Sequence, residues 1–363
     1  MQSPPGATVV IGGKRYDYFA GCGYLGLQNH PEALAAARRA IDEYGLSTAT
    51  SRGGYGEHPL YDELEERACA FFDCEKVLYF ASGYFGMGIL LQGSSKANDH
   101  LFIDAHGHYS LWDAARASNL PITAFPHGNL ERLQELLKSE MRAGERPVIM
   151  SDGVFPISGV IAPVVELLGI AEEFDGMLYL DDAHAVGVLG DHGRGTLDHF
   201  GITDTRCRVS GTLSKALGGW GGILWGKTDF INNLDRNSGV MAGSSPPPLV
   251  MAAASARALE IARTQPELRQ RLWGNVRLAR QGLKRLGWEL EDSPVPILCL
   301  KARDGVNLNQ LRDDLFVRGI AVEVVRSYTS APPGGALRIA IFASHTHEQI
   351  GRLVESVGQL ISN

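Results

Sequence analysis

The sequence has few cysteines, no long apolar run and no concentration of basic residues. Its five cysteines among 363 residues are an odd number without C-x-x-C spacing, which argues against a disulfide framework and a zinc site. No stretch approaches the roughly 20 apolar residues that a membrane span needs, and the first residues do not combine a basic start with an apolar core. We therefore expect a soluble cytoplasmic protein with reduced thiols and no membrane span.

The charge is mildly acidic, with 41 acidic against 34 basic residues and a net charge of -7. Because the basic residues are scattered, neither a nucleic-acid groove nor binding to an anionic membrane surface is predicted. The length fits one large domain with a smaller one. An enzyme that acts on small molecules is the interpretation that fits these bounds.

Two segments near the middle of the chain carry the strongest functional signal. In the first, the apolar run Met177–Leu180 is followed by Asp181 and Asp182, and then by His184. A buried parallel strand delivers polar groups to the carboxyl edge of a sheet in this way, and α/β proteins bind ligands at that edge.

In the second segment, Lys215 follows Ser210, Thr212 and Ser214 and precedes a glycine-rich loop. Such a loop lets backbone amides approach a bound group closely. An acid, a histidine, a lysine and an anion-holding loop are the parts that a pyridoxal phosphate site needs. The lysine binds the cofactor covalently, the acid pairs with the pyridine nitrogen, and the hydroxyls and amides hold the phosphate.

The two segments also form a paired motif. The pattern D-[DE]-A-H-x-x-G-x-x-G-x-x-G-R-G runs from Asp181 to Gly195, and T-x-[SG]-K-[AG] surrounds Lys215. The pair resembles the α-oxoamine synthase family, fold-type I pyridoxal phosphate enzymes that join an amino acid to an acyl-CoA with loss of carbon dioxide. The resemblance implies an acyltransferase that uses an amino acid and an acyl thioester, and a homodimer with shared active sites.

The resemblance also assigns roles around the cofactor. It implies that Lys215 is the catalytic lysine, that Asp181 pairs with the pyridine nitrogen and that His184 reaches the phenolic oxygen. His108, in the pattern D-x-x-x-H-x-S-[IL], would stack on the face of the pyridoxal ring. The phosphate would be held by a strand-to-helix turn, a hydroxyl on the lysine strand and a loop of the partner chain, at Ser82, Gly83, Tyr84, Thr212, Ser244 and Ser245.

For the substrates, A-L-R-I-A-x-x-A-S-H-T places Arg338 where the family grips the substrate carboxylate. Three positions depart from the family pattern. Cys22 replaces an asparagine that helps line the substrate site, Tyr61 replaces a histidine, and Pro156 replaces a serine near the cofactor ring. A small buried filler is an equally good interpretation of Cys22. These departures leave the amino acid and the acyl donor open.

The order of elements predicts the architecture. Strands and helices alternate from Val77 to Gly226, which predicts an α/β fold with a mostly parallel central sheet flanked by helices. Before it we expect two short strands about Gly12-Gly13 and a helix over residues 31–44. From about residue 265, helices alternate with the short strands PILCLK, AVEVV and ALRIAIF. We expect an N-terminal segment (1–44), a large cofactor-binding domain (45–264) and a small α+β domain (265–363).

Two further patterns in the sequence suggest other kinds of site, and one rival function stays open. His106 and His108 could suggest a metal pair, but no third ligand is spaced to complete it, and stacking by His108 is preferred. Residues 221–228 fit the P-loop pattern G-x-x-x-x-G-K-[ST]. Their Ile-Leu-Trp core is typical of a strand, however, and no helix is expected to open at Lys227. An aminotransferase or lyase of the same fold stays open as the rival function.

Overall fold

The computed structural model describes residues 1–362. The chain begins with a hairpin of β1 (Thr8–Ile11) and β2 (Lys14–Tyr18). Its turn residues, Gly12 and Gly13, both have positive φ, which suits the twist of a tight hairpin. Helix α1 (Pro31–Tyr44) begins with a proline at its first turn and is capped by the His30 side chain. The predicted hairpin and helix are confirmed.

The central part alternates strands with helices, as predicted. In chain order it consists of α2 (Pro59–Phe72), β3 (Lys76–Phe80), a 3-10 turn (Gly83–Phe85), α3 (Gly86–Ser94), β4 (Asp99–Asp104), α4 (Tyr109–Ala117), β5 (Ile122–Phe125), α5 (Leu130–Glu140), β6 (Arg146–Asp152), α6 (Val164–Glu173), β7 (Met177–Asp181), α7 (Thr196–Phe200), β8 (Cys207–Thr212), β9 (Gly222–Gly226), α8 (Thr228–Asn237), α9 (Gly239–Gly243) and α10 (Leu249–Thr264).

The seven central strands form one sheet in the order β3-β9-β8-β7-β6-β4-β5. Only β9 runs against the others, because it pairs antiparallel with both β3 and β8. The prediction of a mostly parallel sheet is therefore confirmed. The P-loop alternative fails because Ile223 and Leu224 are paired strand residues. The expectation that no helix follows Lys227 was wrong, since α8 begins at Thr228.

Helices cover both faces of this sheet. Along β4, Leu101 and Ile103 pack with α3 and α8 on one face. The intervening Phe102 packs with α5 and α6 on the other face, as the two-residue period of a strand requires. Because helices cover both faces of the sheet, a site made of polar side chains has to lie at an edge of the sheet.

The remaining elements are α11 (Glu267–Arg285), β10 (Ile297–Lys301), α12 (Leu308–Val317), β11 (Ile320–Ala321), β12 (Glu323–Val325), β13 (Ala336–Ala340) and α13 (His347–Ile361). β10, β13 and β12 form an antiparallel sheet, whereas β11 pairs in parallel with β2 of the N-terminal hairpin. The single strand expected over AVEVV is therefore wrong, because its two ends join different sheets. The three proposed domain boundaries stay a prediction.

No helix among residues 1–362 has the length and apolar character needed to cross a membrane. All five cysteines are free thiols, as expected.

A buried histidine links the two ends of the chain. His345 stacks on Phe19 and on Phe342, with ring centroids 4.2 and 5.0 Å apart. Its Nδ1 accepts the Phe342 N–H at 2.9 Å, and its Nε2 lies 2.9 Å from the Tyr18 carbonyl oxygen. Burial lowers the pKa of His345 to about 4. The folded protein therefore keeps this imidazole neutral at a pH where the unfolded chain protonates it.

This shift predicts a loss of stability in mild acid. Between pH 6.5 and 4 the unfolded state binds a proton at His345 that the folded state does not, so stability falls as the pH falls through this window. From pH 7 to pH 5 the contribution is about 2 kcal/mol. Urea denaturation at the two pH values should give a smaller loss for His345→Gln than for wild type. Equal losses would contradict the assignment.

Candidate functional site

A cavity of about 220 Å³ lies at the carboxyl edge of the central sheet. Its walls come from the ends of β6, β7 and β8, from the start of α4 and from the turn before α3. The lining residues are Ser82, Gly83, Tyr84, His108, Ser110, Asp152, Pro156, Asp181, Ala183, His184, Thr212, Ser214 and Lys215. The cavity thus collects eight of the predicted site residues: Lys215, His108, Asp181, His184, Ser82, Gly83, Tyr84 and Thr212.

Two buried carboxyl groups lie next to each other in this cavity. Asp152 ends β6 and Asp181 ends β7, and the two are paired in register. Asp181 accepts hydrogen bonds from the Ala183 N–H at 2.9 Å and from the Ser110 hydroxyl at 3.4 Å. Burial and the neighbouring Asp181 carboxylate raise the pKa of Asp152 well above its usual value. The arrangement therefore favours protonation of Asp152.

The next acid along the chain has a different task. Asp182 does not line the cavity; its carboxylate accepts hydrogen bonds from the Thr196 N–H at 2.7 Å and the Thr196 hydroxyl at 2.9 Å. Burial raises the pKa of Asp182 to about 7. The consecutive residues Asp181 and Asp182 point to opposite sides of the strand end, and the second one holds the following loop in place.

His184 is buried at the wall of the cavity. Its Nδ1 lies 2.8 Å from the Tyr24 hydroxyl. Burial, together with the charges of Lys215 and Arg338, lowers the pKa of His184 well below its usual value. The imidazole is therefore neutral and can form one hydrogen bond with Tyr24 and another with a group in the cavity.

His108 lines the same cavity at the start of α4. Its backbone N–H donates to Asp152 at 2.9 Å, and its Nδ1 lies 2.7 Å from the Ser110 hydroxyl. Burial lowers the pKa of His108. His106, its supposed metal partner, instead stacks on His127 with ring centroids 4.3 Å apart. Nowhere in residues 1–362 do three or more metal-binding side chains come together.

One end of the cavity carries hydroxyl and amide groups. Ser82 caps the 3-10 turn that leads into α3, where its hydroxyl accepts the Tyr84 N–H at 3.3 Å. Thr212 lies opposite and donates to the Gly221 carbonyl at 2.7 Å. A Cβ on Gly83 would lie 2.8 Å from the Thr212 side chain, so glycine permits this close approach. Such a helix start with adjacent hydroxyls is suited to a phosphate group.

The glycines of the loop after Lys215 allow this loop to pack closely against the N-terminal segment. Gly218 has a φ of +63°, and a Cβ there would lie 2.1 Å from the Gln28 backbone nitrogen. The Gly218 N–H also donates to the Lys215 carbonyl at 2.9 Å. The lysine is therefore presented from a backbone that is held tightly against the N-terminal segment.

Arg338 lies on β13 behind the cavity wall and is 4% exposed. Its guanidinium donates to the Pro156 carbonyl at 2.8 Å and to the Gly21 carbonyl at 3.2 Å. It also lies 3.4 Å from the Tyr24 hydroxyl and 3.8 Å from the Cys22 sulfur. Its partners are thus neutral, and Tyr24 connects it to His184.

Several predicted residues lie elsewhere. Ser244 and Ser245 follow α9 and do not line this cavity. Cys22 lines a neighbouring cavity instead. The Tyr61 hydroxyl donates to the Pro247 carbonyl at 2.6 Å, in the core.

Sequence reasoning named Ser214 beside Lys215 but did not assign Ser110, Asp152 or Tyr24 to the site. For Asp152 a signal was available, because the apolar run PVIM is followed by Ser151 and Asp152, much as Met177–Leu180 is followed by Asp181. Ser110 also had a signal, because it is the serine of the D-x-x-x-H-x-S-[IL] pattern that contains His108, whereas no role was predicted for the Tyr24 hydroxyl.

The fold and the site together define a fold-type I enzyme that depends on pyridoxal phosphate. The donor set fits this cofactor: an amine, one carboxylate and neutral imidazoles surround a space that ends in hydroxyls and a helix start. The chain belongs to the aminotransferase class I and II family, whose profile matches residues 22–357, and within it to the α-oxoamine synthases.

Named relatives support this membership. The 8-amino-7-oxononanoate synthase of Coprothermobacter proteolyticus is 33% identical over 97% of this chain and 90% of that protein. The 8-amino-7-oxononanoate synthase 1 of Bacillus subtilis is 32% identical over 98% of this chain and 91% of that protein. The structure of the Sphingomonas wittichii serine palmitoyltransferase superposes with a TM-score of 0.92 at 25% identity, covering 99% of this chain and 91% of that one.

Proposed function

We propose that the protein condenses an amino acid with an acyl thioester and releases carbon dioxide and an α-oxoamine, in a reaction most like that of an 8-amino-7-oxononanoate synthase. The observation that carries this proposal is the convergence of Lys215, Asp181, His184 and His108 in one cavity, with Arg338 buried behind it. The named relatives support the same reaction class.

Different residues of the cavity would hold different parts of pyridoxal phosphate. Lys215 would bind it covalently, Asp181 would pair with its pyridine nitrogen, and His184 would meet its phenolic oxygen. His108 would cover the ring face, while Ser82, Gly83, Tyr84 and Thr212 would hold the phosphate. When bound, the cofactor supplies an electron sink for the negative charge that develops at the amino acid Cα.

Lys215 would carry out the proton transfers. Its amine takes the Cα proton of the amino acid, and its fixed position contributes much of the rate. A bond then forms between Cα and the thioester carbonyl carbon while the carbon–sulfur bond breaks and the thiolate leaves. The carboxylate departs as carbon dioxide, and a proton returns to Cα.

Arg338 would bind the amino acid carboxylate. Its guanidinium is charged, buried and bonded only to neutral acceptors. We expect Arg338→Lys to raise KM for the amino acid by about tenfold, through loss of one charge-assisted hydrogen bond, with a smaller change in kcat. Steady-state kinetics checks this, with Arg312→Lys on the exposed side of α12 as the matched control. An unchanged KM would show that Arg338 does not bind the amino acid.

The chain would act as a homodimer with shared sites. Leu46 and Tyr55 are large side chains that are 65% and 100% exposed, which suits a contact surface. Ser244 and Ser245 would then reach the phosphate of the partner's cofactor. Light scattering of the purified protein should give about twice the 39.3 kDa chain mass. A monomer that is active at all concentrations would contradict shared sites.

The function is tested with the cofactor-loaded protein, amino acids added one at a time and an acyl-CoA. Release of free thiol that requires both substrates, together with an aminoketone product, is the expected result. Formation of a 2-oxo acid without thiol release would instead identify an aminotransferase of the same fold. Loss of carbon dioxide from the amino acid alone would identify a lyase.

A further inference from the structure

Another cavity lies at the edge of the central sheet opposite the candidate active site. It has a volume of about 410 Å³ and is found where β6, β7 and β8 begin, beside the end of α3 and beside α8. We name it the amino-edge cavity. Because β6 runs from Arg146 at this edge to Asp152 at the other, roughly 20 Å of strand separates the two sites. The amino-edge cavity is therefore distinct from the cofactor site.

The charged side chains that line this cavity are all basic. They are Arg146, Arg206 and Arg208, and no aspartate or glutamate among residues 1–362 lines it with them. Guanidinium groups bind oxyanions through paired N–H donors, whereas a hard metal cation needs carboxylate or other oxygen ligands. The wall of the cavity therefore favours an anionic ligand.

Two of the three arginines have carboxylates nearby. Arg146 donates to both carboxylate oxygens of the buried Asp99, at 2.7 and 2.8 Å, and this ion pair satisfies it. Arg206 lies 3.7 Å from Asp204 and 3.8 Å from Glu172. Both distances are too long for hydrogen bonds, so these carboxylates leave the donors of Arg206 free to bind another group.

The third arginine, Arg208, has no carboxylate within 4.0 Å among residues 1–362. Its Nε is buried without a hydrogen-bond partner in the part of the chain that the structure describes. Its guanidinium carbon lies 4.1 Å from the centre of the Phe230 ring. The ring holds the guanidinium in place and offsets part of its lost hydration, but it supplies no opposite charge. Since a half-buried charge without a counter-ion is unfavourable, an anion beside Arg208 would be stabilised.

The end of α3 contributes a hydroxyl donor to the same cavity. The Ser95 hydroxyl is buried and has no partner among the described residues. The nearby carbonyl groups are already used, because the Gly93 carbonyl accepts from the Asn233 amide and the Leu90 carbonyl accepts from the Ser94 hydroxyl. This wall therefore offers a donor to an oxyanion and few free acceptors that would repel it.

We propose that the amino-edge cavity binds a phosphate group through Arg206 and Arg208, with the Ser95 hydroxyl as a further donor. The ligand is inorganic phosphate or a small phosphate monoester, since both present the same oxygens. A phosphate dianion would supply the counter-charge that Arg208 lacks and would accept the free N–H groups of Arg206. Binding at this edge is independent of the condensation reaction at the other edge, so either can fail without the other.

The test uses the cofactor-loaded protein, in which the phosphate of the cofactor already fills the end of the first cavity. Calorimetric titration with inorganic phosphate at constant ionic strength measures the dissociation constant. We expect saturable binding of one phosphate per chain. Arg208→Gln and Arg206→Gln should each weaken it by about tenfold or more, the usual effect of losing one charge-assisted hydrogen bond. Arg236→Gln removes an exposed arginine of α8 outside the cavity and should keep the wild-type affinity.

Titration with AMP distinguishes the two sources of the phosphate group. Tighter binding of AMP than of inorganic phosphate would identify a monoester whose organic part also contacts the cavity, whereas equal or weaker binding would identify inorganic phosphate. The visible spectrum of the cofactor checks that each variant is folded and that phosphate has not displaced the cofactor. Absence of saturable binding of both ligands would overturn the proposal, and so would an affinity that is unchanged in both arginine variants of the cavity.

Discussion

Lys215→Ala is expected to remove covalently held cofactor and to lower kcat by about 10²–10⁴-fold, the usual contribution of a positioned general base. In the proposed reaction the lysine combines two tasks, since it would bind pyridoxal phosphate and transfer the Cα proton. Its backbone is fixed by the Gly218 turn, so the loss arises from the amine and not from a change in the loop. Borohydride treatment followed by peptide mass analysis measures the covalent link, and thiol release measures turnover.

Lys227→Ala is the matched control for this variant. Lys227 is an exposed lysine just before α8 and lies outside the cavity, so its removal should leave both measurements unchanged. Cofactor trapped on another lysine of the Lys215→Ala protein would refute the assignment of Lys215.

Asp181→Asn is expected to lower kcat by about 10²–10³-fold, the usual cost of removing one preorganised electrostatic partner. An amide cannot hold a proton on the pyridine nitrogen by charge, so the electron sink becomes weaker. The side chain keeps its size, and the oxygen that accepts from the Ala183 N–H can remain. The visible spectrum of the bound cofactor reports the change independently of turnover.

Asp152→Asn provides the contrast. The pKa of Asp152 is raised by burial and by Asp181, so protonation of this carboxyl is favoured and its replacement by an amide should change the charge of the site little. We expect a decrease below about tenfold. Equal losses in the two variants would mean that the charge of Asp181 is not what the site uses.

The sequence predicted the parts of the site that chemistry restricts to one residue type. A covalent amine, an acid for the ring nitrogen and a histidine leave few choices, so Lys215, Asp181 and His184 stand out from their neighbours. Asp152 was missed because its role depends on which strand lies beside β7, and register between strands is not visible in one sequence. The hydroxyl of Tyr24 likewise acquires its role only through the approach of Arg338 and His184.

The fold likewise contains elements that local sequence signals predict and elements that depend on contacts between distant parts of the chain. Strong local signals, such as the Gly12-Gly13 turn and the Pro31 helix start, placed the hairpin and α1 correctly. Helix α8 was missed because its cap residue, Lys227, makes no side-chain capping bond. The pairing of β2 with β11 was also not foreseen, since a two-residue strand carries no readable period.

That pairing has a consequence for biosynthesis. β2 is complete after 18 residues, yet its partner β11 begins at Ile320. The hairpin therefore lacks this partner strand during most of translation. Closing a loop of this length is slow and leaves the strand edge uncovered meanwhile. Since Cys22 and Tyr24 follow this strand, their contacts with Arg338 form only after most of the chain has been made. A nascent chain that stalls before residue 320 would contain Lys215 and the acids but would lack Arg338, the residue proposed to bind the amino acid carboxylate.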